Sequence, residues 1–289
     1  MKQTLPHWYL IGTGNIGVLS AHYLQQAGHG VTALRPGNDP MLHRELVFGD
    51  QPRRLTLPAM SPARLARPLD ALLVACKTPF TRDALLPLQP WLHQGTLVVR
   101  LQNGMGALDG LLPDGGALIE TVTTSAVKGR PPRHEVVAEN DTWWGGLPQP
   151  PVWFEALRQH WPGLHWEADL RHRQWQKLVV NAVINPLTAL HDVDNGALLN
   201  NPALLAQANA LCREADALLT RLDPHWPANS LPNVLAVARA TAGNTSSMRA
   251  DRQRGNRTEI DAINGYLLRQ AEPLGMDLPH HRQLVQALS

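Results

Sequence analysis

Cysteine is nearly absent from this sequence, which has only Cys76 and Cys212 among its 289 residues. Two cysteines are too few for a framework of disulfide bonds, and this fits a protein of the reducing cytoplasm. Excess charge is also lacking, since the formal net charge is only +2. A charge this small argues against nucleic acid or a membrane surface as a partner. We therefore expect a cytoplasmic protein whose partners are small molecules.

Long apolar runs are missing as well, because no segment approaches the ~18 consecutive apolar residues that span a bilayer. The first apolar run begins at Trp8, close to the first residue of the sequence, so no signal peptide is expected. The thirteen histidines form neither H-E-x-x-H nor a Cys/His zinc pattern, so no metal site is predicted. What is present is an apolar fraction of 44%, enough for the core of one large domain or of two.

A glycine-rich turn stands between an apolar run at residues 8–11 and a helical stretch at residues 18–26. A second apolar run, residues 30–34, follows at the distance expected of a βαβ unit. The turn has the G-x-G-x-x-G spacing of dinucleotide-binding loops, which predicts that its residues contact a cofactor: Gly12, Thr13, Gly14, Asn15, Ile16 and Gly17. The alternative is a glycine-rich turn that binds nothing.

Arg35 indicates which dinucleotide this loop would bind. NAD sites usually place Asp or Glu at the end of the second strand, where this chain has Arg35. A carboxylate would repel a 2′-phosphate, whereas a guanidinium binds it bidentately. We therefore predict NADP(H) rather than NAD(H), the alternative being a solvated surface arginine.

The order of the predicted elements indicates two domains. Further apolar runs at residues 69–76, 96–101 and 117–122 predict an α/β domain with a mostly parallel Rossmann-type sheet. Residues 130–151 are expected at its antiparallel edge. From about residue 170 the pattern is helical, with breaks at 185–186, 195–196, 201–202 and 224–232. This predicts a dinucleotide-binding domain at 1–168 and an all-α domain at 169–289, with an active site in the cleft between them.

Three polar residues recur on an otherwise apolar predicted helix. Lys177, Asn181 and Asn185 stand at i, i+4 and i+8, so they share one helix face. Buried lysine and amide groups need hydrogen-bonding partners. One ammonium and two carboxamides suit a small anionic substrate rich in oxygen. The alternative is a hydrogen-bond network between domains without a ligand.

A second helix is predicted over residues 257–267, and it carries Glu259 on the same face as Ile263 and Tyr266. That face is apolar, so Glu259 is expected to be shielded, whereas Asp261 is expected to be solvated. A shielded carboxylate beside Lys177 would hold the ammonium in place and tune its pKa. The sequence alone does not show that the two residues meet.

With these residues the chain resembles the ketopantoate reductase (2-dehydropantoate 2-reductase) family over nearly its whole length. Several separated motifs occur in the family's order, which is more specific than the glycine loop alone. They are the glycine loop, Arg35, Lys77, and residues 103–106, 177–190, 195–196, 246–248 with Asp251, and 258–265.

The resemblance implies reduction of 2-dehydropantoate to (R)-pantoate with NADPH, a step of pantothenate (vitamin B5) and coenzyme A biosynthesis. It makes Lys177 the general acid that protonates the carbonyl oxygen as hydride attacks the carbon. Glu259 would organise the lysine, the substrate hydroxyl and the cofactor ribose. The resemblance also implies cofactor contacts for Lys77, Asn103 and Val127, and substrate contacts for Asn181, Asn185, Asn195 and Ser247.

Some features depart from the family pattern or leave alternatives open. Val127 stands where a small residue is common, and residues 255–257 differ, which concerns fine specificity more than reaction type. Lys77 has the alternative of being a surface lysine at a strand end, and Ser247 that of being one of several hydroxyls in a loop or helix. A related NADP-dependent 2-oxo acid reductase, an opine-type dehydrogenase and a non-catalytic NADP(H) sensor are the competing functions. The Trp-rich stretches are compatible with a homodimer.

Overall fold

The computed structural model describes residues 5–289, and these form two compact units. The first unit ends at Leu170 and the second continues from Arg171, but residues 103–107 belong to the second unit. The sequence prediction, a single division of the chain, did not assign this short segment to the helical part. The N–H of Met105 donates to the carbonyl of Ala262 at 2.8 Å, which ties the segment to the second unit.

The first unit is built on one sheet. Its strands are, in chain order, β1 (Trp8–Ile11), β2 (Val31–Leu34), β3 (Met41–Phe48), β4 (Gln51–Met60), β5 (Ala71–Val74), β6 (Leu97–Arg100), β7 (Ala117–Thr123), β8 (Ala126–Arg130), β9 (Arg133–Ala138), β10 (Thr142–Gly145) and β11 (Leu164–Trp166). Within the described part of the chain they pair in the order β11-β10-β7-β6-β5-β1-β2-β4-β3-β9-β8. The central strands β2, β1, β5, β6 and β7 run parallel to one another.

Both faces of the central sheet are buried. The first unit has helices α1 (Asn15–Gln26), α2 (Thr81–Leu85) and α3 (Phe154–Arg158), and 3₁₀ turns at Pro62–Arg64, Thr78–Phe80 and Leu86–Trp91. Along β1, Trp8 and Leu10 enter one apolar cluster, whereas Tyr9 and Ile11 enter another. Successive side chains of a strand point to opposite faces, so two cores flank the sheet. The predicted Rossmann-type α/β domain is confirmed.

The antiparallel part of the sheet differs from the prediction. β10 pairs antiparallel with β7, as expected of residues 130–151, but β9 pairs parallel with β3 at the other end of the sheet. The β3–β4 hairpin, which pairs with β2 through β4, was not predicted. It places two long strands and the parallel strand β9 beyond β2.

The second unit is helical, as predicted. Its helices are α4 (Arg171–His191), α5 (Ala197–Asn200), α6 (Pro202–Leu222), α7 (Leu231–Ala240), α8 (Ser247–Gln253), α9 (Tyr266–Ala271) and α10 (Pro279–Leu288). A π-helical segment, Asp261–Gly265, precedes α9, and a 3₁₀ turn, Glu272–Leu274, follows it. The other long helices and the π-helical segment pack around α4, which supplies the largest share of the buried apolar residues.

Two helix predictions in this unit were wrong. The expected break at Asn185-Pro186 is absent, because α4 continues through Pro186 to His191. The expected continuous helix over residues 257–267 is absent too, because Glu259 lies in a bend before the π-helical segment. The predicted shared face of Glu259, Ile263 and Tyr266 therefore does not follow from regular helical spacing. Glu259 is nevertheless buried, with 7% of its surface exposed.

Candidate dinucleotide site and polar helix

The glycine loop of the first unit is closely packed on one side and open on the other. Gly12 has φ +92°, and a Cβ there would lie 2.0 Å from the backbone nitrogen of Cys76. A Cβ on Gly17 would lie 2.0 Å from the carbonyl oxygen of Gly12. A Cβ on Gly14 would meet nothing within 4 Å. Side chains are thus excluded where the loop touches the protein, and Gly14 leaves open space beside the start of α1.

The first turn of α1 suits an anionic group. Gly14 is the residue before the helix, no side chain caps the helix there, and its first turn contains no acidic residue. The positive end of the helix dipole and its terminal N–H groups favour a phosphate at such a position. Together with the open space at Gly14, this arrangement fits the pyrophosphate of a dinucleotide.

Three of the predicted cofactor positions follow neighbouring parallel strands. The glycine loop follows β1, Arg35 follows β2, and Lys77 comes shortly after β5. Because β2, β1 and β5 are adjacent and parallel, their carboxyl ends meet at one edge of the sheet. Lys77 is half-buried, just before the 3₁₀ turn Thr78–Phe80. The half-buried Val127 lies opposite Val136 in β8, the last strand of the sheet order, and β8 packs against α1, the helix that follows the glycine loop.

Arg35 is held by the segment that follows it. Its Nη2 lies 3.1 Å from a carboxylate oxygen of Asp39 and 3.3 Å from the carbonyl oxygen of Met41. A second arginine, Arg44 on β3, donates from Nη2 to Oγ1 of Thr13 at 3.4 Å. Arg44 was not predicted from the sequence, because the strand that carries it was not recognised. The available signal was the pair of leucines two residues before and after it, Leu42 and Leu46, which share one face of a strand with Arg44 and are buried.

Asn15 is held by a histidine from another strand. His134 on β9 is fully buried, and its Nδ1 lies 2.7 Å from Oδ1 of Asn15. Because the amide oxygen only accepts, Nδ1 carries the proton and donates it. Burial and the nearby charge of Arg44 lower the pKa of His134, so this neutral form is favoured. The interaction orients the Asn15 side chain at the start of α1.

In the second unit, one uninterrupted helix carries the predicted polar row. Lys177, Asn181 and Asn185 all lie on α4, where Lys177 and Asn181 are half-buried and Asn185 is 9% exposed. Their i, i+4, i+8 spacing puts them on one face because the helix is continuous. The segment Asp261–Gly265, directly after Glu259, packs against the same helix. Asn103 begins the short segment that Met105 ties to Ala262.

Asn195 offers a hydrogen-bond acceptor whose orientation is defined. The hydroxyl of Thr241 donates to the carbonyl of Val237 at 2.8 Å, so toward Asn195 its oxygen accepts. Nδ2 of Asn195 therefore donates to Thr241 at 2.9 Å. Oδ1 of Asn195 is buried and has no hydrogen-bond partner among residues 5–289. Such an oxygen is suited to accept from a substrate hydroxyl.

The two serines at the start of α8 have different environments. Ser246 is buried; its hydroxyl accepts from the N–H of Arg249 at 3.1 Å and pairs with the hydroxyl of Thr188 at 2.7 Å. Ser247, the predicted substrate contact, is the exposed first residue of α8. Ser246 thus stabilises the helix start and joins α8 to α4, while Ser247 faces solvent in the chain alone.

Across residues 5–289, no group of three or more His, Cys, Asp or Glu side chains is placed to bind a metal ion. Within the same range, every helix is too short or too polar to span a membrane.

The chain matches known proteins over most of its length. The family model for ketopantoate reductase PanE/ApbA covers residues 8–149, and the model for its C-terminal part covers residues 169–289. The 2-dehydropantoate 2-reductase of Shigella flexneri is 33% identical over 285 residues, spanning 96% of this chain and 92% of that protein. The chain belongs to the ketopantoate reductase family. This confirms the resemblance inferred from the sequence motifs.

Solved structures agree with this family assignment. A probable 2-dehydropantoate 2-reductase from Bacillus subtilis is 29% identical, with a TM-score of 0.80 and coverage of 98% of this chain and 100% of that one. A dimeric ketopantoate reductase from Staphylococcus aureus shares the fold, with a TM-score of 0.80, 17% identity, and coverage of 98% and 97%. The roles of individual residues in this ketopantoate reductase family member stay predictions.

Proposed function

We propose that this protein reduces 2-dehydropantoate to (R)-pantoate with NADPH, a step of pantothenate and coenzyme A biosynthesis. The observation that carries the proposal is the similarity, over nearly the full length of both chains, to proteins named 2-dehydropantoate 2-reductase. The open glycine loop and the polar row of α4 provide residues suited to this chemistry. Both are present in one chain, which argues against a cofactor sensor without catalytic activity.

The dinucleotide would be held mainly by the first unit. The glycine loop and the start of α1 would bind its pyrophosphate, and Arg35 would bind the ribose phosphate. Lys77, Asn103, Val127 and Glu259 are the further cofactor contacts that we propose. When bound, the reduced nicotinamide supplies the hydride for the reaction.

Lys177 and Glu259 would perform the proton chemistry. The ammonium of Lys177 donates a proton to the carbonyl oxygen and stabilises the negative charge that develops there. The buried carboxylate of Glu259 orients that ammonium and the substrate hydroxyl. Asn181, Asn185, Asn195 and Ser247 would bind the carboxylate and hydroxyl of the substrate, and Oδ1 of Asn195 is the acceptor available for a hydroxyl.

The test follows NADPH oxidation by the absorbance of the reduced nicotinamide, with 2-dehydropantoate, pyruvate and 2-oxoisovalerate as substrates. We expect fast turnover of 2-dehydropantoate and slow turnover of the two acids that lack its hydroxyl. Faster turnover of another acid would favour a related 2-oxo acid reductase, and turnover that requires an amine co-substrate would favour an opine-type dehydrogenase. Binding of NADPH without turnover of any acid would favour a sensor.

A homodimer, with which the Trp-rich stretches of the sequence are compatible, is part of the proposal. Light scattering of the purified chain would show whether its mass is that of one chain or of two. A mass of one chain at concentrations used for activity measurements would exclude a dimer as the active form.

A further inference from the structure

One arginine contacts the glycine loop, and a second directly follows β2, the strand adjacent to β1. Arg35 follows β2, and Arg44 extends from β3 to donate to the hydroxyl of Thr13, the residue between Gly12 and Gly14. Burial, together with the positive charge of Arg35, lowers the pKa of Arg44. Arg35 also donates to the carbonyl oxygen of Met41 at the start of β3, the strand that carries Arg44, so the two cations lie close enough to repel each other.

Negative charge near this pair is scarce. Within residues 5–289, Arg44 donates only to neutral oxygens, the carbonyl of His43 and the hydroxyl of Thr13. Arg35 pairs with Asp39, whose side chain is 64% exposed. An exposed pair of this kind contributes little, because water screens it. Among the described residues, Arg35 thus has one solvated carboxylate as a partner, and Arg44 has none.

Each guanidinium also has an unused donor. The Nε atoms of both Arg35 and Arg44 are buried and have no hydrogen-bond partner in the part of the chain that the structure describes. A buried donor without a partner is costly. A bound anion with several acceptor oxygens would supply partners for both donors and would remove the repulsion between the two cations.

The position of the pair indicates which anion fits. In dinucleotide-binding folds, the end of the second strand and the first residues of the glycine loop lie beside the adenine ribose. A 2′-phosphate there carries about −1.5 to −2 charge and three acceptor oxygens. We propose that Arg44 acts with Arg35 as a second specificity-determining residue, and that the two guanidinium groups together bind the 2′-phosphate of the cofactor. This inference rests on the NADPH dependence proposed above.

The test measures ligand binding rather than turnover. Titration calorimetry on the full chain compares adenosine 2′,5′-bisphosphate with adenosine 5′-monophosphate, which lacks the 2′-phosphate. We expect Arg44→Gln to lower the affinity for the bisphosphate by about 10- to 100-fold, the usual contribution of charge-assisted hydrogen bonds. Binding of the monophosphate should change little. Arg35→Gln should have the same selective effect.

A matched control comes from the same hairpin. Arg54→Gln removes the same charge from β4 at an exposed position, and it should leave the binding of both ligands unchanged. Arg44→Lys keeps the charge without the planar fork, so it should recover only part of the bisphosphate affinity. Thermal unfolding of each variant shows whether the fold is intact.

Different outcomes overturn different proposals. If Arg44→Gln weakened the binding of both ligands equally, Arg44 would have only a structural role through its hydrogen bond to Thr13, and the inference would be overturned. Unchanged bisphosphate affinity in Arg44→Gln, with a selective loss in Arg35→Gln, would also overturn it while leaving the NADPH proposal intact. If the unaltered protein did not prefer the bisphosphate, the NADPH dependence itself would be wrong.

Discussion

Asn264 donates a hydrogen bond from Nδ2 to the carbonyl oxygen of Ala182, at 2.9 Å. In a regular helix that carbonyl accepts from the N–H four residues later, but that residue is Pro186, which has no N–H. The side chain of Asn264 therefore replaces the hydrogen bond that the proline removes. This is why α4 continues through Pro186 and carries Lys177 and Asn185 on one helix.

Replacing Asn264 tests this relationship. Asn264→Ala would leave the carbonyl of Ala182 and Nδ1 of His281 without a donor inside the core, and we expect a loss of about 2–4 kcal/mol in the free energy of unfolding. Urea denaturation followed by circular dichroism measures it. Pro186→Ala restores an N–H for Ala182, so adding it to Asn264→Ala should recover part of the loss. Strictly additive effects of the two substitutions would contradict the compensation.

Because the ring of His281 is buried and uses both nitrogens in hydrogen bonds, we expect the protein to lose stability in acid. The His281 ring is fully buried; its Nδ1 accepts from Asn264 at 2.9 Å and its Nε2 donates to the carbonyl of Leu211 at 3.1 Å, which leaves no site for a second proton. Burial is the main cause that lowers its pKa to about 4, with Glu214 acting to raise it and His280 to lower it.

The direction of this pH dependence is set by the unfolded chain, in which a histidine has its ordinary pKa of about 6.5. As the pH falls, the unfolded state therefore binds the proton before the folded state does. The stabilisation from neutral His281 is complete above that value and decreases as the pH falls toward 4, by up to about 3 kcal/mol. Urea denaturation between these pH values measures the slope. His281→Gln keeps a donor and an acceptor without titrating, so it should flatten the slope; an unchanged slope would assign the acid loss to other groups.

Replacing His134 should weaken the binding of both nicotinamide cofactors equally. His134→Ala removes the donor that orients Asn15 at the start of α1, where the pyrophosphate would bind. Because NADPH and NADH share that pyrophosphate, we expect both to bind more weakly and their affinity ratio to stay the same. Fluorescence titration with the two cofactors measures the ratio. This outcome differs from that of Arg44→Gln, in which the ratio itself should change.

Replacing Lys177 should lower turnover more than it lowers the affinity for the cofactor. Lys177→Ala removes the proposed general acid, so we expect kcat to fall by about 10²–10⁴-fold. Affinity for NADPH should remain near that of the unaltered protein. Gln176→Ala, at an exposed neighbouring position of α4, is the control and should retain turnover. Equal losses of cofactor affinity and turnover in Lys177→Ala would instead indicate a structural role.

Features that depend on residues near one another along the chain were predicted from the sequence. The glycine loop, β1, α1 and the position of Arg35 follow from a local pattern of apolar residues and glycines. The shared face of Lys177, Asn181 and Asn185 was predicted from the helical period. Family membership was predicted as well, because several motifs recur in one order along the chain.

Tertiary structure decided the features that join distant segments. The hydroxyl of Thr13 meets Arg44 31 residues later, Asn15 meets His134 119 residues later, and Ala182 meets Asn264 82 residues later. Local propensity predicted a helix break at Pro186, but a side chain from another segment satisfies the carbonyl that the proline leaves unpaired. Periodicity describes only neighbours along the chain. Which polar groups partner each other across the fold depends on the packing of whole strands and helices.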